Sequence, residues 1–307
     1  FKLQSDEPEG ESTETAPNKN SINPVVQGSL PEVLVVDDNP VNQSVAEHML
    51  KKLGFRCGLA ESGMQALDYV QKHPCSIILM DCQMPELDGY QTTYQVRSME
   101  RLGQTMTPSP IKIIAMTANS MDGDRQKCLD AGMDDYIAKP VLFDTLASAM
   151  NRALKSLEWE VTQITPPESI PSRGAKPSTQ VHQETKDGVT SPLLNHAILN
   201  GYLGDADRPQ QSMLARLTTL FVESELPKRL HEWQACIEGG DRDGLRRSAH
   251  TLKGSASNMG SVALAQHCAK VESEAATMSV ETMTQSLKIL RSLAEQTSVA
   301  LKAFLQN

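Results

Sequence analysis

Five short apolar runs, separated by stretches of helical character, constrain this chain more than any other feature of its sequence. They are "EVLVVDDN", "FRCGLA", "SIILMD", "IKIIAMT" and "DYIAKP", all within residues 29–155. In "PVNQSVAEHMLKKLGF", between the first two, Val41, Val45, Met49, Leu50 and Leu53 recur at helical spacing and Gly54 closes the segment. Strands covered on both faces read as near-continuous apolar runs. Alternation with helices makes such strands parallel. The expected fold of residues 29–155 is therefore a doubly wound α/β domain with a five-stranded parallel sheet.

In that architecture ligands bind beyond the carboxyl ends of the strands. The rule sorts the polar residues: Asp37 and Asp38 end the first strand, Asp81 the third, Thr117 the fourth and Lys139 the fifth. Three crowded carboxylates repel one another unless a cation intervenes. An all-oxygen site with room for water suits Mg²⁺. The lysine can neutralise an anionic ligand and the threonine hydroxyl can bond it, so the rim suits phosphoryl chemistry on a carboxylate.

Beyond a Pro/Ser/Thr-rich stretch the pattern is only helical. "QSMLARLTTLF" puts Met213, Leu214, Leu217 and Phe221 on one face. A break is expected at Pro227, after which Leu230, Trp233 and Ile237 continue the stripe. "EGGD" stops that helix and Asp241 can cap the next, where Leu245, Ala249, Leu252 and Ala256 form the apolar stripe. His250, Lys253, Gly254 and Ser257 then share an adjacent face, expected to be the more exposed one. Ser261 is expected to cap "VALAQHCAKVESEA", and "ETMTQSLKILRSLAEQTSVALKAFL" closes an all-α bundle. A glycine inside a helix costs roughly 0.5–1 kcal/mol relative to alanine. Gly254 beside His250 makes sense if another surface must come close to an imidazole. That imidazole, with no base, metal or nucleotide site of its own, would rely on a partner for chemistry.

The division expected is an acidic tail at 1–28, the α/β domain at 29–155, a flexible linker at 156–192 and the helical domain at 193–307. A net charge of −9 and 4 % aromatic residues argue against nucleic-acid binding and against an anionic membrane surface. No run is long and apolar enough for a bilayer. The six cysteines are scattered without a CxxC pair, which points to reduced thiols in a cytoplasmic setting and away from structural zinc. The chain opens on Phe1, so a piece of a longer protein is expected.

With "VVDDN", "LMDCQMPELDG", "AMTAN" and "AKP" in order, residues 31–155 resemble a response-regulator receiver domain, of flavodoxin-like fold. The resemblance implies that Asp81 accepts a phosphoryl group. It implies Mg²⁺ on Asp38, Asp81 and the backbone carbonyl of Gln83, with Asp37 assisting. Thr117 and Lys139 would contact phosphoryl oxygens, and Tyr136 would be the aromatic that changes rotamer. Pro85 and Gly89 fit the sharp loop after Asp81, and Lys139–Pro140 stands where a cis bond is common in the family. "AHTLKGSASNMG", flanked by "LFVESELPKRLHEWQACIEGGD" and "LAQHCAKVE", is similar to histidine phosphotransfer (HPt) domains, four-helix bundles. It implies that His250 is the phosphorylated histidine, with Lys253 and Gly254 serving charge and docking.

Together these imply a two-component phosphorelay: from a kinase histidine to Asp81, to His250, and on to a separate response-regulator receiver. A linker of this length has an r.m.s. span of roughly 35 Å, enough for delivery within one chain. No ATP-binding kinase core is present in the sequence, so the expected parent is a hybrid sensor histidine kinase, anchored in the bacterial inner membrane with this part in the cytoplasm. A free-standing receiver–HPt adaptor is the alternative. A Mg²⁺-dependent phosphohydrolase is a weaker one, because the position two residues after Asp81, where such enzymes keep a general acid, is Gln83.

Overall fold

The structure is a computed structural model that describes residues 30–107, 110–117, 122–159, 193–202 and 212–306. The acidic tail and nearly all of the linker lie outside the described residues.

The five apolar runs form five parallel strands: β1 (Val33–Val36), β2 (Cys57–Ala60), β3 (Ile77–Asp81), β4 (Lys112–Thr117) and β5 (Asp135–Ala138). Their order is β2-β1-β3-β4-β5. Helices α1 (Pro40–Lys52), α2 (Gly63–Lys72), α3 (Gly89–Arg101), α4 (Asp122–Asp130) and α5 (Phe143–Ser156) join or follow them. Period-two alternation divides the strand residues between two layers. Val33, Val35, Ile77, Leu79 and Ile114 pack with α1 and α5, whereas Leu34, Val36, Ile78, Met80 and Ile113 pack with α2 and α3. The chain leaves β1 toward β2 on one side and returns to β3 on the other. The rim above β1 and β3 is thus the topological switch point, where a cleft opens. Asn39 fixes the start of α1 there, its side chain accepting the Val41 and Asn42 amides.

The second half is helical: α6 (His196–Asn200), α7 (Met213–Leu220), α8 (Leu226–Gly239), α9 (Arg242–Asn258), α10 (Val262–Glu274) and α11 (Val280–Phe304). Three details depart from the sequence expectation. Pro227 does not break the chain; α7 runs into α8 through a π turn, Phe221–Glu225. The wider turn gives the pyrrolidine ring the space that a regular helix would deny it. Ser261 stands at the start of α10 but its hydroxyl makes no capping bond and is buried without a partner. The short α6 is an addition, tied down by the Asn195 amide donating to the Gly260 carbonyl at 2.7 Å. Asp241 does cap α9, accepting the Gly244 amide at 2.8 Å, and Leu245, Ala249, Leu252 and Ala256 are fully buried.

The halves share one core. Helix α1 packs against α7 and α9, and a continuous buried cluster runs from Val33 and Leu50 through Leu214 and Phe221 to Trp233 and Leu252. This contact fixes what faces the rim.

The loop after β3 sets the position of its last residue. The Gly89 amide donates to the Cys82 carbonyl at 3.2 Å, and a Cβ at Gly89 would stand 2.1 Å from the Asp81 carbonyl oxygen. Gly89→Ala should therefore destabilise the α/β unit by about 1–3 kcal/mol, the range for forced overpacking, as a lowered midpoint in urea unfolding. An unchanged midpoint would show that the loop relaxes freely.

Candidate functional site

The rim collects three carboxylates. Ligand oxygens of Asp37, Asp38 and Asp81 lie within 4.8 Å of one another. Asp37 is wholly buried and Asp81 nearly so. One ammonium serves both: Lys139 Nζ is 2.8 Å from Asp37 Oδ2 and 2.8 Å from Asp81 Oδ2. The Asn39 amide and the Asn42 side chain also donate to Asp37, at 3.0 and 3.1 Å, and the Gln83 amide reaches Asp81 Oδ1 at 3.2 Å. Thr117 closes β4, its carbonyl accepting the Lys139 amide at 2.7 Å, and Tyr136 is half-buried on β5. The Lys139–Pro140 bond is cis.

The rim holds more negative charge than Lys139 balances. Burial, then the neighbouring Asp37 carboxylate, pushes the Asp38 carboxyl up to about 6. Burial likewise raises Asp81 to about 7; Lys139 opposes the rise and Asp37 adds to it. Asp38 Oδ1 is buried without any hydrogen-bond partner. An all-oxygen donor set with surplus negative charge and an orphaned lone pair fits a hard divalent cation, and Mg²⁺ is of that kind.

Across from this rim stands α9. His250 is 5 % exposed, not the open face that its spacing suggested, because the α/β unit covers it. Nor is it alone. Its Nδ1 is 2.7 Å from Glu272 Oε1 on α10, while Lys253 Nζ is 2.6 Å from Glu272 Oε2. Burial works against a charged Glu272, but the hydrogen bonds from His250 and Lys253 prevail and hold its carboxyl down at about 2. A carboxylate at that distance accepts, so the ring proton is assigned to Nδ1 and the Nε2 lone pair is left free.

A cavity of about 180 Å³ separates the two sets, lined by Asp81, Lys139, His250, Lys253, Gly254 and Asn42 among others. Gly254 lets α9 lie close to α1: a Cβ there would stand 3.4 Å from Asn42 Nδ2, and a longer side chain would meet α1. Of the residues singled out from the sequence, Asp81 and Lys139 from one half and His250, Lys253, Gly254 and Ser257 from the other line this space, while Asp38 and Gln83 line a neighbouring cavity that His250 also reaches. Glu272 is the residue that sequence reasoning missed. It lies in "LAQHCAKVE", but only the packing of α10 on α9 brings it to His250, so spacing along the chain carries no sign of it. His48, His196 and His267 stand elsewhere; His267 bonds the Ser286 carbonyl, and His196 packs edge-on to Phe304.

Two family models match the chain: the response regulator receiver domain over residues 33–151 and the Hpt domain over residues 216–305. Hybrid signal transduction histidine kinase B of Dictyostelium discoideum is 40 % identical over 115 residues, 36 % of this chain and 6 % of its own length. Sensor histidine kinase RcsC of Salmonella typhimurium is 36 % identical over 118 residues, 38 % of this chain and 12 % of its own. The chain therefore spans only a small part of these relatives. Among solved structures, the receiver domain of sensor histidine kinase PA1611 from Pseudomonas aeruginosa, which has a magnesium ion coordinated in its active site cleft, is 42 % identical; the match covers 41 % of this chain and 98 % of that one, with a TM-score of 0.36. The chain belongs to the two-component phosphorelay proteins, with a response regulator receiver domain followed by an Hpt domain.

Proposed function

We propose that Asp81 and His250 are successive stations for one phosphoryl group. The observation that carries this reading is that a buried carboxylate and an imidazole whose Nδ1 is held by Glu272 line the same cavity. A phosphoryl group on an Asp81 carboxylate oxygen is an acyl phosphate. Attack by the Nε2 lone pair of His250 forms the N–P bond as the O–P bond breaks, and Asp81 departs as a carboxylate. The proton stays on Nδ1, so the ring becomes cationic, and the Glu272 carboxylate stabilises that charge. Lys139 holds the departing carboxylate, and Lys253, also on the cavity wall, offers positive charge to the phosphoryl oxygens. Asp38, Asp81 and the Gln83 carbonyl would hold Mg²⁺, with Asp37 assisting; when bound it balances charge on the phosphoryl oxygens. Thr117 bonds those oxygens, and Tyr136 changes rotamer with phosphorylation.

Asp81 draws its phosphate from a histidine kinase domain, and His250 passes it to a separate response-regulator receiver. The whole protein is a hybrid sensor histidine kinase anchored in a bacterial inner membrane, with this part in the cytoplasm. Both relatives named above are histidine kinases, which supports the kinase part of that reading. Among the described residues, no helix is long and apolar enough to cross a membrane.

With radiolabelled acetyl phosphate as donor, the His250→Gln protein should carry acyl phosphate on Asp81 alone, and the Asp81→Asn protein should carry no label. Label on His250 in Asp81→Asn would overturn the order of the stations.

Glu272→Ala should slow arrival at His250 by about ten- to a hundredfold, the worth of a hydrogen bond to a charged group, while Asp81 loads at its usual rate. The depressed carboxyl of Glu272 also gives a pH signature. Its contribution to stability is complete above its ordinary value of 4.5 and is lost as pH falls toward about 2. The stability gap between the natural chain and Glu272→Gln should shrink across that window. A gap independent of pH would show that the contact with His250 and Lys253 is not ionic.

A further inference from the structure

Besides the facing stations, the seam between the domains holds a buried ion pair that the transfer chemistry does not use. Glu225, the last residue of the π turn, is 1 % exposed and Arg229, one turn on, is 4 % exposed. Arg229 Nε donates to Glu225 Oε1 at 2.7 Å, and its Nη1 donates to Glu232 Oε2 at 2.7 Å. Glu225 Oε1 also accepts the side-chain amide of Asn39 across the seam at 2.6 Å. Asn39 is itself fully buried and directly follows the acid pair Asp37–Asp38. A second amide contact runs parallel to it, Asn258 Nδ2 donating to Asn42 Oδ1 at 2.9 Å.

The physical consequence lies in desolvation. An ion pair carried into a seam must recover there the hydrogen bonds that it gave up to water. Arg229 fixes the rotamer of Glu225, so the carboxylate meets the partner surface at one place and needs a donor there. An amide on the residue after the acid pair supplies a second bond to Glu225 Oε1, beside the one from Arg229 Nε; a residue without a donor leaves that buried oxygen to Arg229 alone. The π turn is what aims Glu225, because its extra residue shifts the register of everything before Leu226 relative to α8.

We infer that Glu225 is a specificity-determining residue: it selects receivers that present a side-chain amide directly after the acid pair, and so sets His250 in register over Asp81. The inference rests on the relay reading above. Glu225 makes no hydrogen bond to the acid pair, although its charge and that of Arg229 are felt at Asp38, and it acts through docking.

The test uses the whole chain. Asp81 is charged with acetyl phosphate, excess donor is removed, and the first-order passage of label to His250 is timed. His250 is labelled separately with phosphoramidate in an Asp81→Asn background, where no label can arrive through Asp81, which reports the Hpt domain's own competence. Glu225→Ala should slow passage at least about tenfold, with phosphoramidate labelling of His250 and acetyl phosphate labelling of Asp81 unchanged. Glu225→Gln, which keeps a carbonyl oxygen for Asn39, should retain most of the rate. Asn39→Ser, which keeps a capping oxygen for α1 but loses the amide, should slow passage to the same extent, and the double variant Asn39→Ser with Glu225→Ala should be no slower than either alone. Independent, multiplying losses would overturn the inference, as would full-rate passage in Glu225→Ala. Should Glu225→Ala lose phosphoramidate labelling, Asn39→Ser decides alone: slow passage supports the inference and full-rate passage overturns it. Absence of any passage in the unsubstituted chain would instead sink the relay reading itself.

Discussion

Everything at this site depends on α1 lying against α7 and α9. The contact is largely apolar and continuous with both cores, so the two domains bury a common cluster instead of touching at a polar rim. Apolar burial supplies attraction without direction. Direction comes from the polar groups set into the seam, the amides of Asn39 and Asn42 facing Glu225 and Asn258. With α1 held this way, Asp81 at the end of β3 and His250 midway along α9 have nowhere to face but each other. Gly254 makes the approach possible by leaving room for Asn42.

The charges complement each other across the gap. On one side Asp37 and Asp81 share a single ammonium with Asp38 crowded beside them, and burial raises the carboxyls of Asp38 and Asp81. On the other, Glu272 is doubly bonded by a histidine and a lysine and its carboxyl is depressed. The first arrangement leaves a carboxylate that calls for positive charge. The second leaves an imidazole nitrogen with a free lone pair and a counter-charge ready behind the ring. Moving a phosphoryl group from the first to the second relieves crowding at the rim and places the new positive ring beside an existing carboxylate. The same closeness has a cost for onward delivery: His250 is covered by its own receiver, so the domains must part before a separate receiver can reach it.

Much of this was legible in the sequence. The five apolar runs read clearly as strands because β1, β3 and β4, at the centre of the sheet, are buried at nearly every position and leave no polar alternation to confuse the reading, while the edge strands β2 and β5 are only partly covered. Strand ends then placed Asp37, Asp38, Asp81, Thr117 and Lys139 at one rim. The stripe through Leu245 and Ala256 gave α9 and, with it, the face of His250. What stayed hidden involves residues far apart in the chain. Glu272 reaches His250 only through the packing of α10 on α9. The burial of His250 comes from the other domain, beyond the reach of any periodicity within its own helix. Pro227 misled for a local reason, since proline normally ends a helix and here a π turn accommodates it. Ser261 had the right residue type for a cap, but its hydroxyl turns into the interior.

The central claim is that transfer takes place between the two domains of a single chain, held as this seam holds them. The most direct measurement is the rate constant for passage of label from Asp81 to His250 in the whole chain, followed over about a hundredfold range of protein concentration. A docked intramolecular pair predicts one first-order rate constant throughout, because the local concentration of His250 is set by the chain and not by the solution. A rate that falls in proportion to dilution would contradict the account.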